Sequence, residues 1–172
     1  AAIQIVFKPQ LELYSVIVIF IPFVIGMAGN VGVQSATIIV RELVNQDTSS
    51  THIRRNVTKE ILTGGINALL FSLITFVLLS VVSTLVDWKP FILATAVAVG
   101  LFGSIAFAAL IGATIPIIFT NFKIDPAISS GPIITVTTDV IGLSIYLLTA
   151  TVLLSYLGID SLHLPDIPQL LK

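Results

Sequence analysis

Charged residues are missing from this sequence over stretches that only a membrane makes sensible. No Asp, Glu, Lys or Arg occurs from Leu13 to Val40, a run of 28 residues, or from Ile61 to Val86, a run of 26, and a third run extends from Phe91 to Phe122. About 20 apolar residues in a helix cross a hydrocarbon core of ~30 Å, so each run is long enough to span a bilayer once. A fourth, from Pro132 to Leu157, contains a single charge, Asp139. Lipid offers the backbone no hydrogen-bond partner, so a segment of this length must pair its own N–H and C=O groups, as a helix does. The expected fold is an all-α membrane protein, a polytopic transmembrane helix bundle with four full spans. Ahead of them, Ala1 to Phe7 is too short to cross and reads as the remnant of a first helix.

The rest of the composition narrows the function. Only 10% of residues are charged, against roughly 25% in a soluble domain. A net charge of -1 supplies no basic field, so no nucleic-acid partner is expected. Cysteine is absent, which excludes disulfides, thiolate metal sites and cysteine nucleophiles. Residues 1–159 are expected to form one ion-conducting membrane domain, and 160–172, with His163, Pro165 and Pro168, an exposed carboxyl-terminal tail. Between spans, Asn45 to Thr51, Asp87 to Pro90 with its interfacial Trp88, and Asn121 to Asp125 are turns. Arg41, Arg54, Arg55, Lys59 and Lys123 fall on one side of the membrane and Lys8, Lys89 and Lys172 on the other. Five of the eight basic residues thus mark the cytoplasmic face, which puts the carboxyl terminus outside a cell (inner) membrane.

Two of the helices carry polar stripes. A charge at mid-membrane costs ~3 kcal/mol or more, so an intramembrane carboxylate faces a cavity, a partner or an ion. Asp139 is the only acidic residue between Pro126 and Ile159. At helical spacing it shares a face with Gly131, Thr135, Gly142 and Tyr146, with Ile128 and Pro132 beside it, whereas Ile133, Val140, Leu147 and Leu148 lie opposite. In the Leu13 to Val40 run, Gly26, Asn30, Gln34 and Thr37 follow one another about a turn apart. Pro22 there frees the carbonyl of Val18, and Pro132 frees that of Ile128. Two such stripes are expected to line a water-filled path, with Gly26, Gln34, Thr37, Gly142 and Ile128 as pore-lining positions.

Each of these residues also has a plainer reading. Asp139 is alternatively a protonated carboxyl bonded to a neighbouring helix, although the glycine-threonine stripe around it argues for the pore. Asn30 serves equally well as helix-helix glue. Glu60, at a helix end, is an ordinary solvated charge unless it faces a funnel, and His52 and His163 lie outside the spans. Asp125-Pro126 is a good helix start, with an N-cap carboxylate and proline at the first helical position. Every ligand atom on offer is oxygen, which suits a hard divalent cation, and Mg2+ in particular is held through its waters by one or two carboxylates. A single Asp per chain is few. A symmetric homodimer with Asp139 near its axis supplies two.

The residues also carry a resemblance. Gly26-Met-Ala-Gly-Asn-Val-Gly-Val-Gln-Ser-Ala-Thr37 followed by Arg41-Glu-Leu, then Arg55 to Glu60, Asp125-Pro-Ala, Ser130-Gly-Pro and Thr138-Asp-Val-Ile-Gly-Leu-Ser-Ile-Tyr146, is similar to the MgtE magnesium channels. The resemblance covers most of the chain in the family's order. It implies a homodimeric, Mg2+-selective channel with five membrane helices per subunit and a pore between subunits, lined mainly by the second and fifth helices. Asp139 would hold hydrated Mg2+, the transported and bound ion, with help from Asn30, Gly131 and the backbone at Thr135, and Glu60 would lie nearer the cytoplasm. The family's amino-terminal helical domain and CBS pair are not contained in this sequence, and Gly131 stands where some members have asparagine. The nearest rival is a proton- or sodium-coupled secondary transporter of divalent cations. An intramembrane aspartyl hydrolase needs two carboxylates sharing a site, and only Asp139 lies within a span, so an enzyme is not expected.

Overall fold

A computed structural model of the chain describes residues 15–44, 50–85 and 90–156. The remnant at Ala1 to Phe7, the tail from Asp160, the turn around Trp88 and most of the turn after Val44 lie outside the described residues. All the described regular structure is helical: α1 (Ser15–Ile19), α2 (Ile21–Val44), α3 (Ser50–Leu85), α4 (Pro90–Asn121), a short 3-10 helix (Pro126–Ser130) and α5 (Pro132–Tyr156). Four segments are long and apolar enough to cross a membrane, α1 and α2 together counting as one. The chain is a multi-pass membrane protein.

Proline and glycine set the breaks. Pro22 lies at the second position of α2, after a turn at Phe20 that separates the helix from α1. At the other end of the span the helix outlasts the apolar run and reaches Val44. Helix α3 begins at Ser50, well ahead of the charge-free run, and its 36 residues measure ~54 Å at 1.5 Å each, far more than the hydrocarbon core. Its first turns therefore project beyond the bilayer at the basic end. Beside them, His52 Nδ1 lies 3.8 Å from Glu42 Oε2 and 3.2 Å from Asn56 Nδ2. Pro116 stands inside α4 without ending it. That helix closes on Lys123 at φ 58°, with Lys123 N–H donating to Thr120 C=O at 3.0 Å and Ile124 N–H to Phe119 C=O at 2.9 Å, the paired bonds of a Schellman cap.

The Asp125-Pro126 start behaves as expected at its first residue and not beyond. The Asp125 carboxylate accepts from Ala127 N–H at 2.9 Å, but it caps only the 3-10 turn, and the long helix restarts at Pro132. Pro132 is thus a first-position proline whose missing N–H costs nothing, and not a kink inside a helix.

Helix α4 is the centre of the bundle and packs against α2, α3 and α5. Its buried positions are mostly small: Ala94, Ala96, Ala98, Ser104, Ala108, Ala109 and Ala113. In lipid it is close contact, not hydrophobicity, that joins helices. The tightest approaches fall at glycines, Gly64 of α3 lying against Ala109 and Gly112 of α4 against the carbonyl of Gly32 in α2. Outward, α3 exposes Leu62, Ile66, Leu70, Ile74, Val77 and Val81, a face made for acyl chains.

Tyr146 departs from the expected water-lining stripe. It is fully buried against Gly100 of α4, and its hydroxyl donates to the carbonyl of Ile17 at 3.1 Å, tying α5 to α1. That carbonyl also accepts from Phe20 N–H at 3.2 Å, so Tyr146→Phe leaves it satisfied. The substitution is expected to cost only about 0.6–1.5 kcal/mol, read as a small fall in the thermal unfolding midpoint in detergent with transport unchanged.

Candidate functional site

Helices α2 and α5 meet along a cleft of about 250 Å3 lined by Ile25, Gly26, Gly29, Asn30, Val33, Thr135 and Asp139. Four turns of two helices supply it, through the i, i+4 spacing of Gly26 with Asn30 and of Thr135 with Asp139. Asn30 and Thr135 are exposed in the chain as it stands, and Asp139 is half-buried.

Asp139 is the one acid in the cleft, and it is not neutralised there. Its Oδ1 is buried and has no hydrogen-bond partner among the described residues. The atom faces Gly29, where a methyl group would stand 3.4 Å away. A buried carboxylate oxygen without a donor carries its full desolvation cost, unless water or a cation reaches it. The backbone of α2 approaches closely here because residue 29 has no side chain.

The neighbouring polar groups are already committed to their own helices. Thr135 N–H donates to the Gly131 carbonyl at 3.1 Å and its hydroxyl reaches the same oxygen at 3.4 Å, so this carbonyl is engaged within its own turn. Thr37 donates to Val33 C=O at 2.8 Å, and Thr138 to Ile134 C=O at 2.9 Å. A threonine hydroxyl whose proton is spent in this way keeps its lone pairs, and so can still accept from water or coordinate a cation.

The structure brings Asp139, Asn30, Thr135 and Gly26 together and separates the other expected residues from them. Gln34 and Thr37 are exposed further along α2 and Ile128 on the 3-10 helix, but none of the three lines the cleft. Gly131 is also outside it. Gly142, expected beside Asp139 in the pore, is buried against Ser104 of α4 and Ala28 of α2. It is a packing glycine, because that side of α5 faces the central helix. Glu60 lies on α3 away from the cleft, next to the buried Ser35 of α2. Ile25, Gly29 and Val33 line the cleft without having been singled out as site residues from sequence, and Ser35 beside Glu60 was not singled out either. Gly29 was legible only as one of three glycines permitting close approach, and nothing in the sequence pairs Ser35 with Glu60.

Among the described residues no three His, Asp or Glu side chains cluster as a metal site would require. One chain thus offers a single carboxylate with amide and hydroxyl oxygens around it. That set cannot replace the shell of a divalent ion, but it can hydrogen-bond an ion that keeps its waters.

Comparison with known proteins agrees with this chemistry. The profile of the MgtE family, described as divalent cation transporter, matches residues 21–149. The magnesium transporter MgtE of Thermus thermophilus is 36% identical over 148 residues, covering 86% of this chain and 32% of its own length. That of Bacillus subtilis is 33% identical over 145 residues, 84% of this chain and 31% of the relative. The Enterococcus faecalis protein of the same name is 29% identical over 143 residues, 83% and 30%. The chain spans about a third of the length of these relatives. With the family profile matched across two of its four spans and most of the other two, the chain belongs to the MgtE family of divalent cation transporters.

Proposed function

We propose that the chain is the membrane-spanning, ion-conducting part of a Mg2+-selective channel that works as a homodimer, passing Mg2+ into the cytoplasm down its electrochemical gradient. The observation that carries this reading is the Asp139 oxygen, buried and unpartnered at the wall of an open cleft. Water takes up about 30 Å3 per molecule, so the six waters of an octahedral Mg2+ shell need roughly 180 Å3. A cleft of about 250 Å3 has room for that hydrated ion. Two copies of the cleft face to face give two carboxylates for one divalent charge. Phe23, Ile128, Ile133, Val136 and Val140, exposed on α2, α5 and the 3-10 helix before α5, supply apolar surface for such a contact.

Within this reading Asp139 is the selectivity-site carboxylate, and Asn30 and Thr135 orient the waters beside it. Glu60 and the Gly131 turn sit toward the basic end, which is the cytoplasmic mouth, and the carboxyl terminus lies outside the inner membrane. The test is Mg2+ uptake by the full-length protein in proteoliposomes. Uptake driven by the Mg2+ gradient and membrane potential alone, with no pH or Na+ gradient, is expected. A strict requirement for either gradient would establish the coupled secondary transporter instead.

A further inference from the structure

All the described basic residues, Arg41, Arg54, Arg55, Lys59 and Lys123, lie at the end of the bundle where α2 and α4 finish and α3 begins. Between those three helix ends opens a cavity of about 570 Å3. Its walls are apolar, with Leu43, Val57 and Ile117, and Arg54, Thr58, Thr120 and Asn121 supply the polar groups. Thr58 also lines a second cavity of about 610 Å3 that follows the outer seam of α3 and α4 past Leu62, Gly65 and Ile66 to Leu69 and Phe102. Leu69 and Phe102 in turn begin a third, of about 350 Å3, which contains no charged residue. The first two, which share Thr58, give a furrow along the α3–α4 seam that is charged only at its Arg54 end.

The dimensions match one class of molecule. From Thr58 to Leu69 is 11 residues, or ~16 Å along the helix, which is half of a ~30 Å hydrocarbon core. A ligand with its head at Arg54 therefore lays its tail through one leaflet. Gly65 supplies an independent indication. A methyl group there would meet nothing within 4 Å, so no helix packing explains a glycine that costs helix stability relative to alanine. Its neighbour Gly64, by contrast, is needed by Ala109. Gly65 keeps the floor of the furrow bare.

The head is recognised by charge and by acceptors. Arg54 provides the forked cation that suits a phosphate. Thr58 and Thr120 donate their hydroxyl protons to the carbonyls of Arg54 and Pro116, at 3.1 and 3.0 Å. Their oxygens therefore remain as acceptors, which a hydroxyl-bearing headgroup satisfies and a choline does not. We propose that this furrow is a binding site for an anionic diacyl phospholipid, with the phosphate at Arg54 and one acyl chain along the α3–α4 seam over Gly65.

The test measures lipid retained by the purified full-length protein, using native mass spectrometry with dioleoyl phosphatidylglycerol, dioleoyl phosphatidylcholine and free glycerol phosphate as probes. Phosphatidylglycerol is expected to be retained about fivefold over phosphatidylcholine, the value of one basic contact. Arg54→Gln should bring the two lipids level. Arg55→Gln, one residue along and not lining the cavity, should leave the preference in place. Gly65→Leu should weaken both lipids alike by filling the furrow, without changing their ratio. The proposal is overturned if Arg55→Gln lowers the preference as far as Arg54→Gln, because binding is then a diffuse basic surface. It is equally overturned if free glycerol phosphate displaces the lipid, or if Gly65→Leu retains lipid like the parent, as it would were another segment of the protein seated there.

Discussion

Asp139→Asn is expected to abolish selective Mg2+ transport by the full-length protein and to leave its folding intact. The substitution keeps the size and hydrogen-bonding capacity of the side chain and removes its charge. In a dimer, two negative charges facing the ion are lost together. A unit-charge interaction at 4 Å is ~1 kcal/mol in bulk water and ~4 kcal/mol at an effective dielectric near 20, and a divalent ion doubles it. Even if desolvation cancels most of this, a residual ~3 kcal/mol is a more than hundredfold loss of affinity. The neutral pair should then admit monovalent ions, because nothing in the cleft favours two charges over one. Stability should hold or rise, since Asp139 Oδ1 receives no hydrogen bond from the described residues and a buried unpaired charge is a cost to the fold. The measurements are Mg2+-dependent growth rescue and patch current at matched membrane expression, together with the unfolding midpoint. If Asp139→Asn carries Mg2+ with the parent's selectivity, the carboxylate is structural and the channel reading of this cleft fails.

The same helix shows where a sequence stops being legible. Charge-free length alone located the four spans, since a bilayer imposes that pattern regardless of how helices pack. The polar stripe put Asp139 and Thr135 on one face of α5, and Gly26 and Asn30 on one stripe of α2, and these four line the same cleft. Helical spacing puts Gly142 and Tyr146 on the same stripe, but both are buried against α4. At about 100° per residue Gly142 is only ~60° round the helix from Asp139, and that angle separates the cleft with α2 from the flank of α4. Spacing gives an angle; only the position of the neighbouring helix decides whether that angle means water or core. Glu60 and Ser35 illustrate the same limit across helices, as no periodicity within α2 or α3 announces that they lie side by side. Asp125 failed differently. Its side chain caps as its chemistry dictates, but the length of helix it caps depends on the break at Gly131.

Gly112→Ala should be among the most destabilising single changes that add only a methyl group to this chain, and the reason is where α4 crosses α2. The added carbon would overlap the carbonyl oxygen of Gly32, closer than real carbons approach, with the carbonyl carbon at 2.9 Å and Gly32 Cα at 3.1 Å behind it. All three atoms are backbone, so no rotamer change relieves the clash and the helices must separate. On the other side, Gly32 faces Thr138 of α5 and the Ala108 carbonyl of α4, so moving α2 disturbs two interfaces at once. Overpacking of this kind costs ~1–3 kcal/mol in adaptable cores. With backbone against backbone the upper end, ~3 kcal/mol, is expected. Because α2 also carries Gly29 and Asn30 to the Asp139 cleft, the same displacement should lower transport even in protein that still folds. Gly65→Ala is the control, since its methyl group meets nothing within 4 Å and replaces a poor helix former with the best one, worth up to ~1 kcal/mol in its favour. The check is a comparison of unfolding midpoints and Mg2+ uptake for the two variants at equal expression. Equal midpoints for Gly112→Ala and Gly65→Ala would mean that α2 and α4 do not meet at Gly32 and Gly112, and the placement of the cleft on that crossing would fall with it.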